Sequence, residues 1–154
     1  MRILIDNSNL FAGGGIQVAT SFLNDLKTFS KEHLFWVLQS PHSAKTIDTA
    51  SFPKNFVFYD IPEKIYTAKL KRSKFVKKLE EEINPNVIFT TFGPSYHKSN
   101  FPKIVGFAFG QMLYTSSPFY NQLSFLQQLK YKLLIFLKKK AFINNADALV
   151  FETE

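Results

Sequence analysis

Apolar residues follow two rhythms along this chain, and the rhythm switches at regular intervals. Ile3-Leu4-Ile5, Leu34 to Leu38, Asn55 to Tyr59, Val87 to Thr91, Lys103 to Phe109 and Ala148 to Phe151 are short runs rich in branched and aromatic side chains. Runs of that length and composition read as strands, and continuous apolar ones as strands buried on both faces of a parallel sheet. Between them the spacing becomes helical. Ile16, Ala19, Leu23 and Leu26, with Phe22 beside them, line one face of a first helix. Glu63 to Ile83 reads as a second helix, with Val76, Leu79 and Ile83 on one side. Asn121 to Asn145 reads as a long third helix. Leu123, Leu126, Leu129, Leu133, Phe136 and Leu137 form its stripe, which Leu134 and Ile135 broaden nearly all round. His42 to Pro53 is a loop or short helix, and Gly110 to Tyr120 a polar and aromatic loop. Asn84-Pro85-Asn86 breaks the second helix, and Phe92-Gly93-Pro94-Ser95 carries turn chemistry.

Strands that alternate with helices or long connections predict an α/β fold. The expected sheet is doubly wound and mostly parallel, with helices on both faces. One domain spanning residues 1–154 fits this length. In such sheets ligands bind outside the carboxyl ends of the strands. That rule brings together three loops: the one holding Asn9 and Gly13-Gly14-Gly15, the one holding Phe92, Gly93 and Ser95, and the one holding Phe109, Gln111 and Tyr114.

Composition narrows the class. The chain has no cysteine, which removes disulfide scaffolds and thiolate metal sites. His33, His42 and His97 make no ligand pair at helical spacing, so no metal site is expected. No apolar run reaches the length that spans a bilayer, and the start shows no signal-peptide pattern. A net charge of +7 points to an anionic partner: nucleic acid, an anionic membrane or a phosphorylated substrate. The 18 phenylalanines fall mostly at strand and helix-face positions and are expected to fill the core. Nucleic acid is not the expected partner, because the basic residues are not interleaved with aromatics and no known module fits the element order.

Charge order adds a detail. In the second helix Lys69, Lys71, Arg72, Lys74, Lys77 and Lys78 precede Glu80, Glu81 and Glu82, against the preference of the helix dipole. A solvated face or a positive patch kept for a partner both account for it. On the third helix Lys130, Lys132, Lys138, Lys139 and Lys140 flank the apolar stripe. That pattern suits a helix lying on an anionic membrane surface, and equally a core helix with lysines at its edges.

The glycines could cradle a phosphate with backbone N–H groups at a helix start, or form a tight turn that lets helix and strand pack. A dinucleotide fingerprint is incomplete. Gly13 and Gly15 fit, but Val18 stands at the third glycine position, and the second strand runs into Gln39-Ser40 without a carboxylate for a ribose. A Gly-Lys-Ser/Thr phosphate loop and a Gly-x-Ser-x-Gly nucleophile elbow are both absent. Asp6 and Asp25 read as capping or solvated, and Asp147 as the turn into the last strand.

MRILIDNSNLFAGGGIQVATSFLNDL, INPNVIFTTFGPSY, FPKIVGFAFGQMLY, the long helix and NNADALVFETE follow one another in an order that resembles the N-terminal domain of a GT-B glycosyltransferase of the family 4 type. The resemblance covers nearly the whole chain. It implies a Rossmann-like, acceptor-side domain that faces a nucleotide-sugar domain across a cleft, the second domain lying outside this chain. It implies an enzyme that transfers a sugar from a nucleotide-sugar to a glycan or lipid-linked acceptor in cell-surface polysaccharide synthesis, with this fragment inactive alone. No cofactor is implied, the nucleotide-sugar being a co-substrate. The expected location is cytoplasmic, peripheral on the inner face of the cell membrane. Gly13, Gly14 and Gly15 match the loop that meets the donor phosphates, and Gln17 at its end is placed to reach a sugar or phosphate. Asn9, Phe92, Gly93, Ser95, Phe109, Gln111 and Tyr114 become acceptor-cleft candidates. Many members carry a histidine just after the fifth strand; this chain has Phe109-Gly110-Gln111 there, which makes Gln111 the catalytic candidate. The reading from a different class is a non-catalytic Rossmann-like module that binds a phosphorylated ligand or a protein.

Overall fold

The computed structural model describes residues 1–29, 32–113 and 118–151, leaving out the side chains of Phe29 and Gln111. The elements alternate: β1 (Arg2–Asn7), α1 (Gly14–Phe29), β2 (Leu34–Gln39), β3 (Phe56–Asp60), α2 (Glu63–Tyr66), α3 (Lys69–Ile83), β4 (Val87–Thr90), β5 (Lys103–Phe107), α4 (Phe125–Asn145) and β6 (Ala148–Phe151). The strands form one six-stranded sheet in the order β3-β2-β1-β4-β5-β6. Every pairing is parallel, so the fold is a Rossmann-like doubly wound α/β sheet.

Register decides which side chains meet which helix. Leu4, Leu38 and Ile88 point to one face, where they pack with Val76, Leu79 and Ile83 of α3 and with Ile61 and Tyr66. Ile5, Phe35 and Val37 point to the other, where they meet Leu23 of α1 with Ile47 and Phe56. Ala19 and Leu23 are fully buried, as the helical spacing of α1 requires, and burying a leucine is worth about 1.5–3 kcal/mol. Val105 pairs in register with Thr90, on the α3 face, and packs with Phe107 against Phe142 near the end of α4. Helices therefore cover both faces, with α3 and α4 on the same one.

Several elements differ from the sequence pattern. The helix expected over 63–83 is two helices, because Ala68 is extended (ψ 94°). The break lets Tyr66 turn inward, where its hydroxyl donates to the Leu10 carbonyl at 3.0 Å, while Arg72 Nη1 donates to the Tyr66 carbonyl at 3.2 Å. The long helix starts at Phe125 rather than Asn121. Ser124 caps it with a capping box, its hydroxyl accepting from the Gln127 amide and the Gln127 side chain accepting from the Ser124 amide. β5 stops at Phe107, two residues short of the apolar run. Gly14 and Gly15 lie inside the first turn of α1, and Gly13 alone holds the left-handed backbone (φ 67°) that precedes it. Asp6 is buried rather than solvated, and accepts a 2.9 Å bond from the Ser8 amide.

Candidate functional site

The strand order reverses between β1 and β4. At such a point the connections leave in opposite directions and open a crevice at the carboxyl ends of the strands. Here that crevice holds a cavity of about 490 Å³. Its walls come from the loop after β1 and the start of α1 (Asn9, Leu10, Gly14, Gly15), the loop after β4 (Phe92, Gly93, Pro94, Tyr96) and the loop after β5 (Ala108, Phe109). Arg72 of α3 and Lys138 of α4 bring positive charge to it.

Close backbone packing fixes these loops. A Cβ at Gly106 would overlap the Thr91 carbonyl oxygen, and one at Gly93 would overlap Val105. The Gly93 amide donates to the Gly106 carbonyl at 3.0 Å, and a cis peptide joins Gly93 to Pro94. Asn9 donates its side-chain amide to the Pro94 carbonyl at 3.0 Å, tying the first loop to the second. The Asn7 and Thr91 side chains are also hydrogen-bonded to each other across the strand ends.

The loop after β4 is anchored on a buried ion pair. Glu80 and Lys103 are each 1% exposed, and their charged atoms are 3.0 Å apart. Glu80 Oε1 also meets His97 Nε2 at 2.8 Å, and Glu80 Oε2 accepts from the Ser99 hydroxyl at 2.8 Å. Lys103 Nζ donates to the Ser95 hydroxyl at 3.3 Å. Burial pushes the Glu80 carboxyl up, but the His97 hydrogen bond and the Lys103 charge outweigh it and hold the pKa below its ordinary value. Ser95, His97 and Ser99 all belong to the loop after β4. The pair thus pins the segment that carries Tyr96 into the cavity wall. Glu80 is not part of a solvated acidic face.

Aromatic rings carry the cations. Lys138 Nζ sits 3.5 Å from the centre of the Phe109 ring, and Lys69 Nζ 3.4 Å from the centre of the Tyr96 ring. Burial, and then the Lys69 charge, lower the Lys138 pKa. Burial, and then the Arg72 charge, lower that of Lys69. Lys138 thus feels the charge of Lys69, and Lys69 that of Arg72.

Of the residues expected from sequence, Asn9, Gly14, Gly15, Phe92, Gly93 and Phe109 line this cavity. Gly13 stands between the lining residues Ala12 and Gly14 without lining the cavity itself, and Gln17 is exposed on α1 outside it. Ser95 is buried outside its lining as a loop tie. Tyr114 and the side chain of Gln111 lie outside the described residues. Gln39 is buried at the end of β2 and donates to Asp60 at 3.2 Å. Arg72, Tyr96 and Lys138 were not expected in the site. The signal for Arg72 was the run of bases opening a helix against its dipole, which α3 carries to the cavity mouth.

α4 differs from the other helices. Only Phe142 on it is fully buried. Leu126 is 75% exposed, Leu129 59% and Phe136 61%. It is thus not a core helix along most of its length. No helix among the described residues is long and apolar enough to cross a membrane. The chain matches no model of a known protein family, and no curated protein matches it.

Proposed function

We propose that this chain is the acceptor-side domain of a glycosyltransferase that moves a sugar from a nucleotide-sugar to a glycan or lipid-linked acceptor. The observation that carries this reading is the cavity at the strand-order reversal, where the first turn of α1 and two cations face the same space. In glycosyl transfer an acceptor oxygen bonds to the anomeric carbon as the bond to the diphosphate breaks. The acceptor proton passes to a base, and negative charge grows on the leaving nucleoside diphosphate. Backbone N–H groups at the start of α1 suit that charge without any side chain, because they are oriented in advance. Gly14 and Gly15 leave the approach open: a Cβ on Gly14 would meet nothing within 4 Å, and one on Gly15 only Leu10 and Phe92 at 3.4 Å. The donor's own domain lies outside this chain, so the fragment supplies half of the cleft and is inactive alone.

The exposed apolar stripe and lysines of α4 support a peripheral place on an anionic cytoplasmic membrane surface. Lys130, Lys132, Lys139 and Lys140 would meet lipid headgroups while Leu126, Leu129 and Phe136 enter the interface.

The test is hydrolysis and transfer with a panel of nucleotide-sugars, comparing this chain alone with a longer product in which it is joined to the proposed nucleotide-sugar domain. Turnover by the longer product alone is expected, with Gly14→Val reducing it by about tenfold or more through blocked phosphate approach. A longer product that neither turns over nor binds any nucleotide-sugar overturns the proposal. The reading would then be a binding module for a phosphorylated ligand.

A further inference from the structure

Three cations gather where α3 begins and α4 passes it. Lys69 and Arg72 stand in the first turn of α3, and Lys138 comes across from α4. Positive side chains at a helix start are opposed by the helix dipole, and these three also repel one another. Among the described residues the ion pairs lie elsewhere, between Lys78 and Glu82 and around Glu80. No described carboxylate lies within salt-bridge distance of the trio; the buried Asp6 shares a small cavity with Arg72 alone of the three. Charge held in place against both its dipole and its own repulsion has the form of a site for an anion.

Two cavities meet at these cations. The strand-end cavity has Arg72, Tyr96 and Lys138 in its wall. A second cavity, of about 400 Å³, runs along Lys130, Leu133, Leu134, Leu137 and Lys138 of α4, with Lys69 and Tyr96 contributed from outside that helix. Tyr96 and Lys138 belong to both. The junction is basic and aromatic, and the groove leading from it is aliphatic. A free phosphate would leave the groove unused, and a neutral hydrocarbon would leave the cations unused.

We infer that this junction binds a single phosphate-bearing lipid, its phosphate held by Lys69, Arg72 and Lys138 and its hydrocarbon chain laid along Leu133, Leu134 and Leu137. The inference rests on the acceptor-side reading for the role of that lipid, which is to carry the hydroxyl or glycan that receives the sugar. The binding itself requires no sugar transfer. It is also distinct from general attraction to a bilayer, since it asks for one lipid molecule in solution.

Calorimetric titration of this chain with farnesyl diphosphate, inorganic diphosphate and farnesol, all below micelle-forming concentrations, separates the sources. Farnesyl diphosphate is expected to bind at least tenfold more tightly than either of the others. The double variant Lys69→Met, Lys138→Met should weaken both phosphate ligands at least tenfold, and Lys69→Arg, Lys138→Arg should restore them. Leu134→Ser with Leu137→Ser should weaken farnesyl diphosphate alone. All four side chains lie at the surface or half-exposed, so the fold tolerates these changes, and circular dichroism melting checks it. Farnesyl diphosphate binding no tighter than inorganic diphosphate overturns the inference in favour of a free-phosphate site. Binding indifferent to the lysine pair overturns it altogether. A failure of the nucleotide-sugar assay leaves these titrations unchanged, so the two readings fall separately.

Discussion

α3 and α4 lie on the same face of the same sheet, and both carry an apolar stripe edged with lysine. They are used differently. α3 turns Val76, Leu79 and Ile83 into the core and adds a buried carboxylate, Glu80, to that face. α4 docks through Phe142 near its carboxyl end and leaves most of its stripe in the open. Helical periodicity states that a helix is amphipathic; what covers the apolar face is decided by where the neighbouring strands run. α3 crosses strands β1 and β4 at the sheet centre, whereas α4 feeds the edge strand β6. The uncovered stripe and its flanking lysines are what the proposed anionic lipid surface rests on.

The largest expected effect is on the α3 side. Glu80→Leu would leave Lys103 buried without its carboxylate, and a cost of about 3–5 kcal/mol is expected by urea denaturation. Because Ser95, His97 and Ser99 would lose their anchor, the variant should also bind farnesyl diphosphate more weakly. A variant of unchanged stability would show that the pair does not hold the loop. Next comes Leu79→Ala, which opens a cavity in the α3 core and should cost about 2–4 kcal/mol.

Acid should act through the same residue. The Glu80 carboxyl is held below its ordinary pKa in the folded state by His97 and Lys103, against the opposing effect of burial. Its contribution is fully present above the ordinary carboxylate range and is lost as pH falls through the folded value. Melting temperature should therefore drop on acidification below that range. Glu80→Gln should remove part of the drop, and an identical pH profile in that variant would contradict the assignment.

The smallest effect on stability is expected on α4. Leu126→Ser with Leu129→Ser should change it by no more than about 0.5 kcal/mol, because both residues already face solvent. The same pair should reduce sedimentation with phosphatidylglycerol vesicles at low salt severalfold. A loss of stability like that of Leu79→Ala would mean that the stripe is covered, and the contrast between the two helices would dissolve.

The alternation of strands and helices was legible because continuous apolar runs and helical spacing are local properties. The position of the strand-end cavity was legible too, since the crevice of a doubly wound sheet follows from its topology. Arg72, Tyr96 and Lys138 were harder, as they converge from three elements far apart in sequence. The buried pair left a readable trace. Glu80 sits four residues after Val76 and three before Ile83, on the buried face of α3, and Lys103 alternates with Val105 and Phe107 on the buried face of β5. An acid and a base each placed on an apolar face imply one another. The break at Ala68 left no such trace, because it depends on Tyr66 reaching the Leu10 carbonyl across the chain.

The measurement that bears most directly on the account is sugar transfer by the proposed longer product, this chain joined to a nucleotide-sugar domain. It would be offered a panel of labelled nucleotide-sugars and a prenyl-phosphate-linked acceptor in anionic vesicles. Transfer is expected to need the vesicles and to fall at least tenfold in Lys138→Met, while Leu126→Ser with Leu129→Ser lowers it only through weaker vesicle binding. Absence of any nucleotide-sugar binding or transfer by the longer product would contradict the glycosyltransferase reading.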